Sequence, residues 1–183
     1  MSDLINLDDY ERAARERLDP GPLGYYASGA DDEVTLSENR EGWSRLRLIP
    51  RVLRGLSEVS AATSVLGTEL DWPLLVAPMA MQGMACAEGE LATARAASRA
   101  GAAMVLSTIS NTAVEDVVAA SERDVWFQLY VYRDRESSRD LVQRVDAAGC
   151  KALVLTVDVP HLGRREADER NRFAMPRHLE LPN

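Results

Sequence analysis

The chain of 183 residues is long enough for one domain with a hydrophobic core, because a domain of this length buries roughly 70% of the surface that its unfolded chain exposes. Hydrophobic residues make up 46% and charged residues 27% of the chain, which excludes the disordered and fibrous classes. The net charge of −8, with arginines scattered among the acids, argues against a nucleic-acid partner.

The amino-terminal stretch carries early acidic residues and no apolar run of signal-peptide length. No window approaches the roughly 20 apolar residues of a membrane span, so we expect a cytoplasmic protein without a membrane partner.

Residues 6–18 place apolar side chains on one face at helical spacing, with Asn6 able to cap the helix. These side chains are Leu7, Tyr10, Ala14 and Leu18. The sequence DPGPLG at 19–24 is expected to break this helix.

The next segments are less regular. Residues 25–46 have a helical pattern on either side of Gly29, and residues 47–67 are typical of irregular structure with extended pieces. We therefore interpret residues 1–71 as a helical and irregular preamble to a regular domain at residues 72–183.

From residue 72 onward, short apolar runs alternate with amphipathic segments. The predicted strands are 72–79, 102–108, 125–131 and 151–158, and the predicted helices are 88–101, 113–121 and 136–149. Apolar strands separated by helices favour a parallel sheet covered by helices, either doubly wound or a (β/α) barrel. No glycine-rich phosphate-binding motif follows the first strand, which favours the barrel. An eight-stranded barrel typically needs about 250 residues, so four strands would be half of one.

Polar side chains collect at the predicted strand ends, where barrel enzymes place their chemistry. The first strand ends in residues 77–81, and the others deliver Ser107 and Thr108, Gln128 and Tyr130, and Thr156 and Asp158. Most of these residues also have an ordinary explanation in turns, caps or strands. Asp158 is harder to explain, because a carboxylate that ends an apolar strand needs a donor or a wet site.

Two further features have simple structural interpretations. Arg164 and Asp168 are spaced as an i, i+4 ion pair in a solvated loop. Cys86 and Cys150 lack the spacing of a disulfide framework or a zinc site, so we expect buried free thiols and no metal.

Several motifs together resemble the FMN-dependent 2-hydroxy acid oxidase and dehydrogenase family, to which glycolate oxidase and lactate oxidase belong. They are YYASGA (25–30), APMAMQGMACAEGE (77–90), ATARAAS (92–98), FQLYVYRDR (127–135) and LTVDVPHLGRREADERNRF (155–173). The similarity runs from about residue 5 to the end. It implies an α/β fold, a (β/α)8 TIM barrel preceded by a few helices, of which this chain supplies the first four strands. It also implies FMN as cofactor, oxidation of an L-2-hydroxy acid to the 2-oxo acid, and a homo-oligomer, a tetramer by resemblance.

The resemblance assigns cofactor-binding roles to six positions. Pro78, Met79 and Ala80 match a segment that lies along the flavin ring with backbone groups near its N5 edge. Ser107, Gln128 and Thr156 match residues that hydrogen-bond the isoalloxazine. Short polar side chains on rigid strand ends can meet a flavin's fixed row of donors and acceptors at little entropic cost.

The resemblance also assigns the substrate side. Tyr25 and Arg165 match residues that contact the substrate carboxylate, and Tyr130 matches a tyrosine that hydrogen-bonds the substrate oxygen. Asp158 matches the aspartate that orients the catalytic histidine and stabilises its cation. Ile109 replaces a tryptophan of glycolate-oxidising relatives, so we expect a larger or more apolar 2-hydroxy acid than glycolate.

The family's histidine base, its partner arginine, a lysine near flavin N1 and the phosphate-binding loops belong to the second half of the barrel. His161 and His178 do not match that base and are expected at the surface. We therefore expect this chain to be the N-terminal part of an enzyme that needs the complementary C-terminal half, because a lone half-barrel would expose strand edges and an apolar face. The alternatives are a non-catalytic half-barrel that serves in interaction or assembly, and a TIM-barrel enzyme for a phosphorylated substrate.

Overall fold

A computed structural model describes residues 4–158 and 161–183, so Val159 and Pro160 of the motif at 155–173 lie outside the described residues. The described chain forms two compact units. The first lies within Met1–Gly55 and His161–Met175, and the second within Leu56–Pro160 and Pro176–Asn183. The domain boundary after residue 71 stays a prediction.

The helices and strands are as follows, in chain order. The helices are α1 (Leu7–Arg15), α2 (Pro20–Ala27), α3 (Val34–Ser44), α4 (Gly89–Arg99), α5 (Val114–Ala120), α6 (Arg135–Ala147) and α7 (Glu166–Asn171), and a short 3₁₀ helix spans Gln82–Met84. The strands are β1 (Thr63–Val65), β2 (Thr68–Leu70), β3 (Leu75–Val76), β4 (Ala103–Ser107), β5 (Val125–Leu129) and β6 (Leu153–Leu155).

The first unit contains α1, α2, α3 and α7. Asn6 caps α1 as the sequence predicts: its side chain accepts the Asp9 N–H, and the Asp9 carboxylate accepts the Asn6 N–H. The segment at 19–24 does more than break a helix, because Pro20 starts α2 at the position where a missing N–H costs nothing.

Helix α7 was predicted as loop, because its six residues carry no apolar periodicity. It packs against α2, and the Asn171 Nδ2 donates to the Pro20 carbonyl over 2.9 Å. Gly24 allows this approach, since a Cβ there would lie 2.6 Å from the Asn171 Nδ2. The contact between α2 and α7 is therefore tertiary, and the sequence pattern of neither helix predicts it.

The second unit is built on a four-stranded parallel sheet in the order β3-β4-β5-β6. This confirms the predicted α/β class and the four predicted strands, although each is shorter than its apolar run. The hairpin β1-β2 was not predicted as a hairpin. Its Thr68 is buried, and the Trp126 Nε1 donates to the Thr68 Oγ1 over 2.9 Å.

Alternation along the strands separates a face that packs on the helices from an opposite face that carries Ser107 and Gln128. Met104, Leu106, Phe127 and Leu129 pack with apolar residues of α4, α5 and α6 in one buried cluster. Because neighbouring strand residues point to opposite faces, Ser107 and Gln128 lie on the side away from these helices. The fold therefore places polar groups together at the carboxyl ends of the central strands.

The cysteine prediction is wrong for one residue. Both cysteines are free, but Cys86 is exposed between the 3₁₀ helix and α4, where the chain turns at the surface. Cys150 is partly buried beside the core, and desolvation raises the pKa of its thiol to about 11. Within residues 4–158 and 161–183, no helix is both long and apolar enough to cross a bilayer.

Candidate functional site

Ser107, Gln128 and Thr156 form a hydrogen-bonded row across the ends of β4, β5 and β6. The Ser107 Oγ donates to the Gln128 Oε1 over 3.3 Å, and the Thr108 N–H donates to the same oxygen over 3.2 Å. The Gln128 Nε2 in turn donates to the Thr156 Oγ1 over 2.8 Å. Both Gln128 and Ser107 are almost fully buried.

This pattern sets which groups the row can offer to a ligand. The Gln128 Oε1 already accepts two hydrogen bonds, whereas its Nε2 has a second hydrogen beyond the one given to Thr156. The Thr156 hydroxyl accepts from Gln128 and has its own hydrogen left to donate among the described residues. The row therefore offers donors, which suit the carbonyl oxygens and ring nitrogens of a planar heterocycle.

Thr108 ties the ends of β4 and β5 together. Its buried hydroxyl donates to the Gln128 carbonyl over 2.5 Å and accepts the Tyr130 N–H over 3.1 Å. Tyr130 is thus fixed through its backbone just beyond the end of β5. Thr108 stands at a strand end in the sequence, but only the fold shows that it cross-links two strands.

Pro78, Met79 and Ala80 lie in the segment that follows β3. Pro78 and Met79 are exposed, and the Met79 carbonyl accepts from the Gln82 Nε2 over 3.3 Å. One residue beyond Ala80, the Met81 N–H donates to the Ile109 carbonyl over 2.9 Å. The segment is therefore held to the loop after β4 through its backbone, which leaves the Met79 side chain at the surface.

Glu90 is a buried carboxylate that the sequence interpretation missed. It is 0% exposed, and its Oε1 accepts the N–H groups of Gln82 and Asn111 over 3.1 Å each. Its Oε2 accepts from the Thr112 Oγ1 over 2.9 Å. Helical spacing in the sequence could have indicated that Glu90 is buried, because Glu90 shares its face of α4 with the buried residues Ala94 and Ala97.

Tyr25 and Arg165 contact each other within the first unit. The Arg165 guanidinium lies 4.7 Å from the centre of the Tyr25 ring, and its Nη2 donates to the Tyr25 carbonyl. The Arg165 Nε lies 3.4 Å from the Asp168 Oδ2. Phe173 stacks on Tyr25 with the ring centres 5.0 Å apart. Arg165 is thus held in a fixed position by an aromatic ring and a carboxylate.

The expected pair between Arg164 and Asp168 is wrong. Arg164 instead forms two hydrogen bonds of 3.0 and 2.9 Å with Glu169, which lower the pKa of that carboxyl group. Asp168 faces Arg165 because Arg165 is the N-cap of α7, which brings the third helical residue back toward it. The two adjacent arginines therefore have different partners.

Asp158 and Tyr130 are not joined by a hydrogen bond. β6 ends at Leu155, so Asp158 lies beyond the strand, exposed, and has no hydrogen bond or ion pair with any described residue. The predicted strand end at 158 was therefore wrong by three residues, because β6 pairs with β5 alone and the ladder stops early.

His161 and His178 are both exposed. Among the described residues, no group of carboxylates, histidines and cysteines could hold a metal ion.

Comparison with known proteins gives consistent matches along this chain. A family model described as FMN-dependent dehydrogenase matches residues 14–183. Glycolate oxidase 3 of Oryza sativa subsp. indica is 52% identical over 183 residues, which cover 100% of this chain and 50% of that protein. L-lactate oxidase of a Nostoc species is 50% identical over 187 residues, with 100% and 51% covered.

A solved structure agrees with these matches. A mandelate oxidase variant with the C4a-OH-FMN adduct superposes with a TM-score of 0.91 at 42% identity, over 96% of this chain and 53% of that one. The chain thus spans about half the length of the curated relatives and of the structure that it matches.

Proposed function

Because this chain belongs to the FMN-dependent dehydrogenase family, we propose that it supplies the N-terminal half of an enzyme that oxidises an L-2-hydroxy acid to the 2-oxo acid with FMN. The observation that carries the proposal is the Ser107–Gln128–Thr156 row, whose unused donors face away from the helices. The remaining half of the barrel is its partner, since the matched relatives are about twice as long. We call the two halves together the assembled enzyme.

On the cofactor side, Gln128 and Thr156 donate to acceptor atoms of the isoalloxazine, and Ser107 fixes the Gln128 amide. The backbone of Pro78, Met79 and Ala80 lies along the ring. Its tie to Gln82 and to the loop after β4 supports a contact made by backbone atoms. Bound FMN would accept the two electrons that leave the hydroxy acid.

On the substrate side, Arg165 binds the carboxylate with Tyr25 beside it. A guanidinium has five N–H donors; the contacts with Asp168 and the Tyr25 carbonyl use two of them. The remaining donors include adjacent ones that can fork onto a carboxylate. Tyr130 hydrogen-bonds the substrate hydroxyl, and the exposed Asp158 orients a histidine that the complementary half contributes.

Ile109 supports a substrate larger than glycolate. Its N–H donates to the Ser107 Oγ over 3.1 Å and its carbonyl accepts from Met81, so its backbone is fixed on both sides. A side chain smaller than tryptophan at a fixed position leaves space for a substituent on the 2-hydroxy acid. Lactate and mandelate are therefore expected to be better substrates than glycolate.

Two further parts of the proposal concern the oligomeric state and the cellular location. The family resemblance supports a homo-oligomer, a tetramer, and we expect a cytoplasmic location. The alternative function, an interaction or assembly module without catalysis, draws support from the exposed leucines of β6. It differs from the enzyme in predicting no flavin chemistry.

The test is anaerobic bleaching of the flavin absorbance of the assembled enzyme by glycolate, lactate and mandelate. We expect bleaching, slowest with glycolate. Arg165→Lys should raise the substrate concentration for half-maximal bleaching by about tenfold or more, because lysine cannot form the forked contact. Arg164→Lys is the matched control and should change it little. A flavin that no 2-hydroxy acid bleaches, or equal damage by the two substitutions, would contradict the proposal.

A further inference from the structure

We propose that Glu90 is a positioning residue: its buried carboxylate holds the loops after β3 and β4 in the arrangement that FMN and the substrate require. This inference rests on the proposed function. It concerns a group that neither the cofactor row nor the substrate residues include. The hydrogen bonds of Glu90 go to Gln82, Asn111 and Thr112, to which the resemblance assigns no role, so Glu90 acts through the groups that it holds.

Three donors surround the oxygens of the Glu90 side chain. Two backbone N–H groups and one hydroxyl point at these oxygens, at 3.1, 3.1 and 2.9 Å. The two oxygens accept from all three groups, so the side chain is held by hydrogen bonds to two loops. Glu90 also lies in the first turn of α4, where the helix dipole favours a negative charge. A buried carboxylate is costly unless it is bonded in this way.

The contacts of Glu90 lead to the segment after β3 through Gln82. Glu90 holds the Gln82 N–H, and the Gln82 side chain donates to the Met79 carbonyl. The Thr93 hydroxyl donates to the Gln82 Oε1 over 2.6 Å and fixes which end of the amide faces Met79. The backbone proposed to lie along the flavin is therefore two hydrogen bonds away from Glu90.

The same carboxylate holds the loop after β4. It accepts the Asn111 N–H, while the Asn111 Oδ1 accepts the Gly83 N–H over 3.1 Å. Two residues earlier, the Ile109 carbonyl accepts the Met81 N–H. Glu90 thus joins the segment after β3 and the loop that carries Ile109 at one buried point. Loss of its carboxylate would let both move.

A role in positioning differs from a role in folding the sheet. The hydrogen bonds of Glu90 go to Gln82, Asn111 and Thr112, all of which lie outside the strands β4 and β5. Loss of the carboxylate should therefore loosen the two loops while the sheet remains folded. A residue that only stabilised the fold would change the unfolding midpoint without changing the affinity of the folded protein for FMN.

The experiment compares Glu90→Ala and Glu90→Gln in the assembled enzyme, with Glu115→Ala as control, because Glu115 is exposed and pairs with Arg144. FMN affinity is measured by quenching of flavin fluorescence, and the lactate-to-glycolate ratio of kcat/KM reports the Ile109 loop. Glu90→Ala should weaken FMN binding by about tenfold or more and lower the substrate ratio. Glu90→Gln should stay within about threefold, because its Oε1 can accept both N–H groups while the Thr112 hydroxyl turns to accept from its Nε2.

Amide hydrogen exchange keeps the inference testable even if Glu90→Ala does not fold. In the unaltered protein, the Gln82 and Asn111 amides should exchange slowly, and in Glu90→Ala they should exchange faster while those of β5 do not. Fast exchange of these two amides in the unaltered protein would overturn the inference. So would unchanged FMN affinity in a folded Glu90→Ala, or equal damage by Glu90→Gln. An unaltered assembled enzyme that binds no FMN would instead contradict the proposed function.

Discussion

Strands β5 and β6 are hydrogen-bonded neighbours with very different surroundings. Phe127 and Leu129 of β5 lie opposite Leu153 and Leu155 of β6 in the ladder. The two β5 residues are 0% and 8% exposed, whereas the two β6 residues are 46% and 55% exposed. Helices α4, α5 and α6 cover the central strands, and the same face of β6 remains open. The centre of the sheet is thus complete by itself, while β6 has an apolar face that further structure can cover.

The comparison extends to the polar strand ends. The Gln128 side chain on β5 makes three hydrogen bonds to described residues, whereas the Thr156 side chain beyond β6 makes one and the Asp158 side chain makes none. The polar side chain at the centre of the sheet is therefore held in place by hydrogen bonds, whereas the polar side chains at its edge still have groups to offer to other partners. In the proposed enzyme, those partners are FMN and the complementary half of the barrel.

The largest expected effect comes from a matched pair of leucines. Leu129→Ala should lower the free energy of unfolding by about 2–5 kcal/mol, because it leaves a cavity in the buried cluster. Leu155→Ala should cost less than about 1 kcal/mol in this chain, because its side chain is already more than half exposed. Urea unfolding of both variants measures the difference.

The same pair has a different expected result in the assembled enzyme. There the cost of Leu155→Ala should rise toward that of Leu129→Ala, since the complementary half would cover β6. Equal costs of the two substitutions in this chain alone would contradict the difference in burial between β5 and β6.

A second pair concerns cofactor affinity. Gln128→Leu removes the amide and leaves the Thr108 N–H without its acceptor, so FMN binding should weaken by about tenfold or more. Thr156→Val removes only one donor and should cost about threefold. Fluorescence titration of the assembled enzyme with FMN measures both. If Thr156→Val proved the more damaging, Gln128 would not be the centre of the row.

The two cysteines offer a smaller, kinetic comparison. With a pKa of about 11, only about one Cys150 thiol in a thousand is ionised at pH 8. Cys86 is exposed, so iodoacetamide should modify it first. Mass spectrometry of timed samples would show the order, and faster modification of Cys150 would mean that the region between α6 and β6 opens readily.

The smallest effect is expected on the covered side of the sheet, at the pair of Glu115 on α5 and Arg144 on α6. Arg144 lowers the pKa of Glu115, so the pair stabilises the fold above the unfolded pKa of 4.5 and this contribution disappears as the pH falls through the lowered value. Both side chains are close to half exposed, so Glu115→Gln should cost less than about 1 kcal/mol at pH 7. Urea unfolding should show a smaller cost at pH 3 than at pH 7; the same cost at both would exclude the ion pair as its cause.

The sequence predicted the order of strands and helices well, because each apolar run and amphipathic segment is a local pattern. The cap at Asn6 and the four parallel strands follow from such patterns, and the match to the family and to half the length of its members supports the TIM barrel. Local patterns could not predict α7, whose position depends on α2, or the exact ends of β6, which depend on a neighbouring strand.

Within the candidate site, residue types were easier to predict than their connections. Gln128 could be identified as a candidate from the sequence, but its amide orientation follows from Ser107, Thr108 and Thr156, which lie on three different segments. Glu90 was missed because a glutamate in the first turn of a helix is ordinarily at the surface. Only its shared face with buried alanines indicated otherwise.

Amide hydrogen exchange of the assembled enzyme with and without FMN shows directly where the cofactor binds. We expect FMN to slow exchange at Ala77, Met79 and Ala80 and at residues 107–109 and 128–130, at the carboxyl ends of β3, β4 and β5, and to leave the hairpin β1-β2 unchanged. Slower exchange at the hairpin alone, or no change at any of these strand ends, would contradict it.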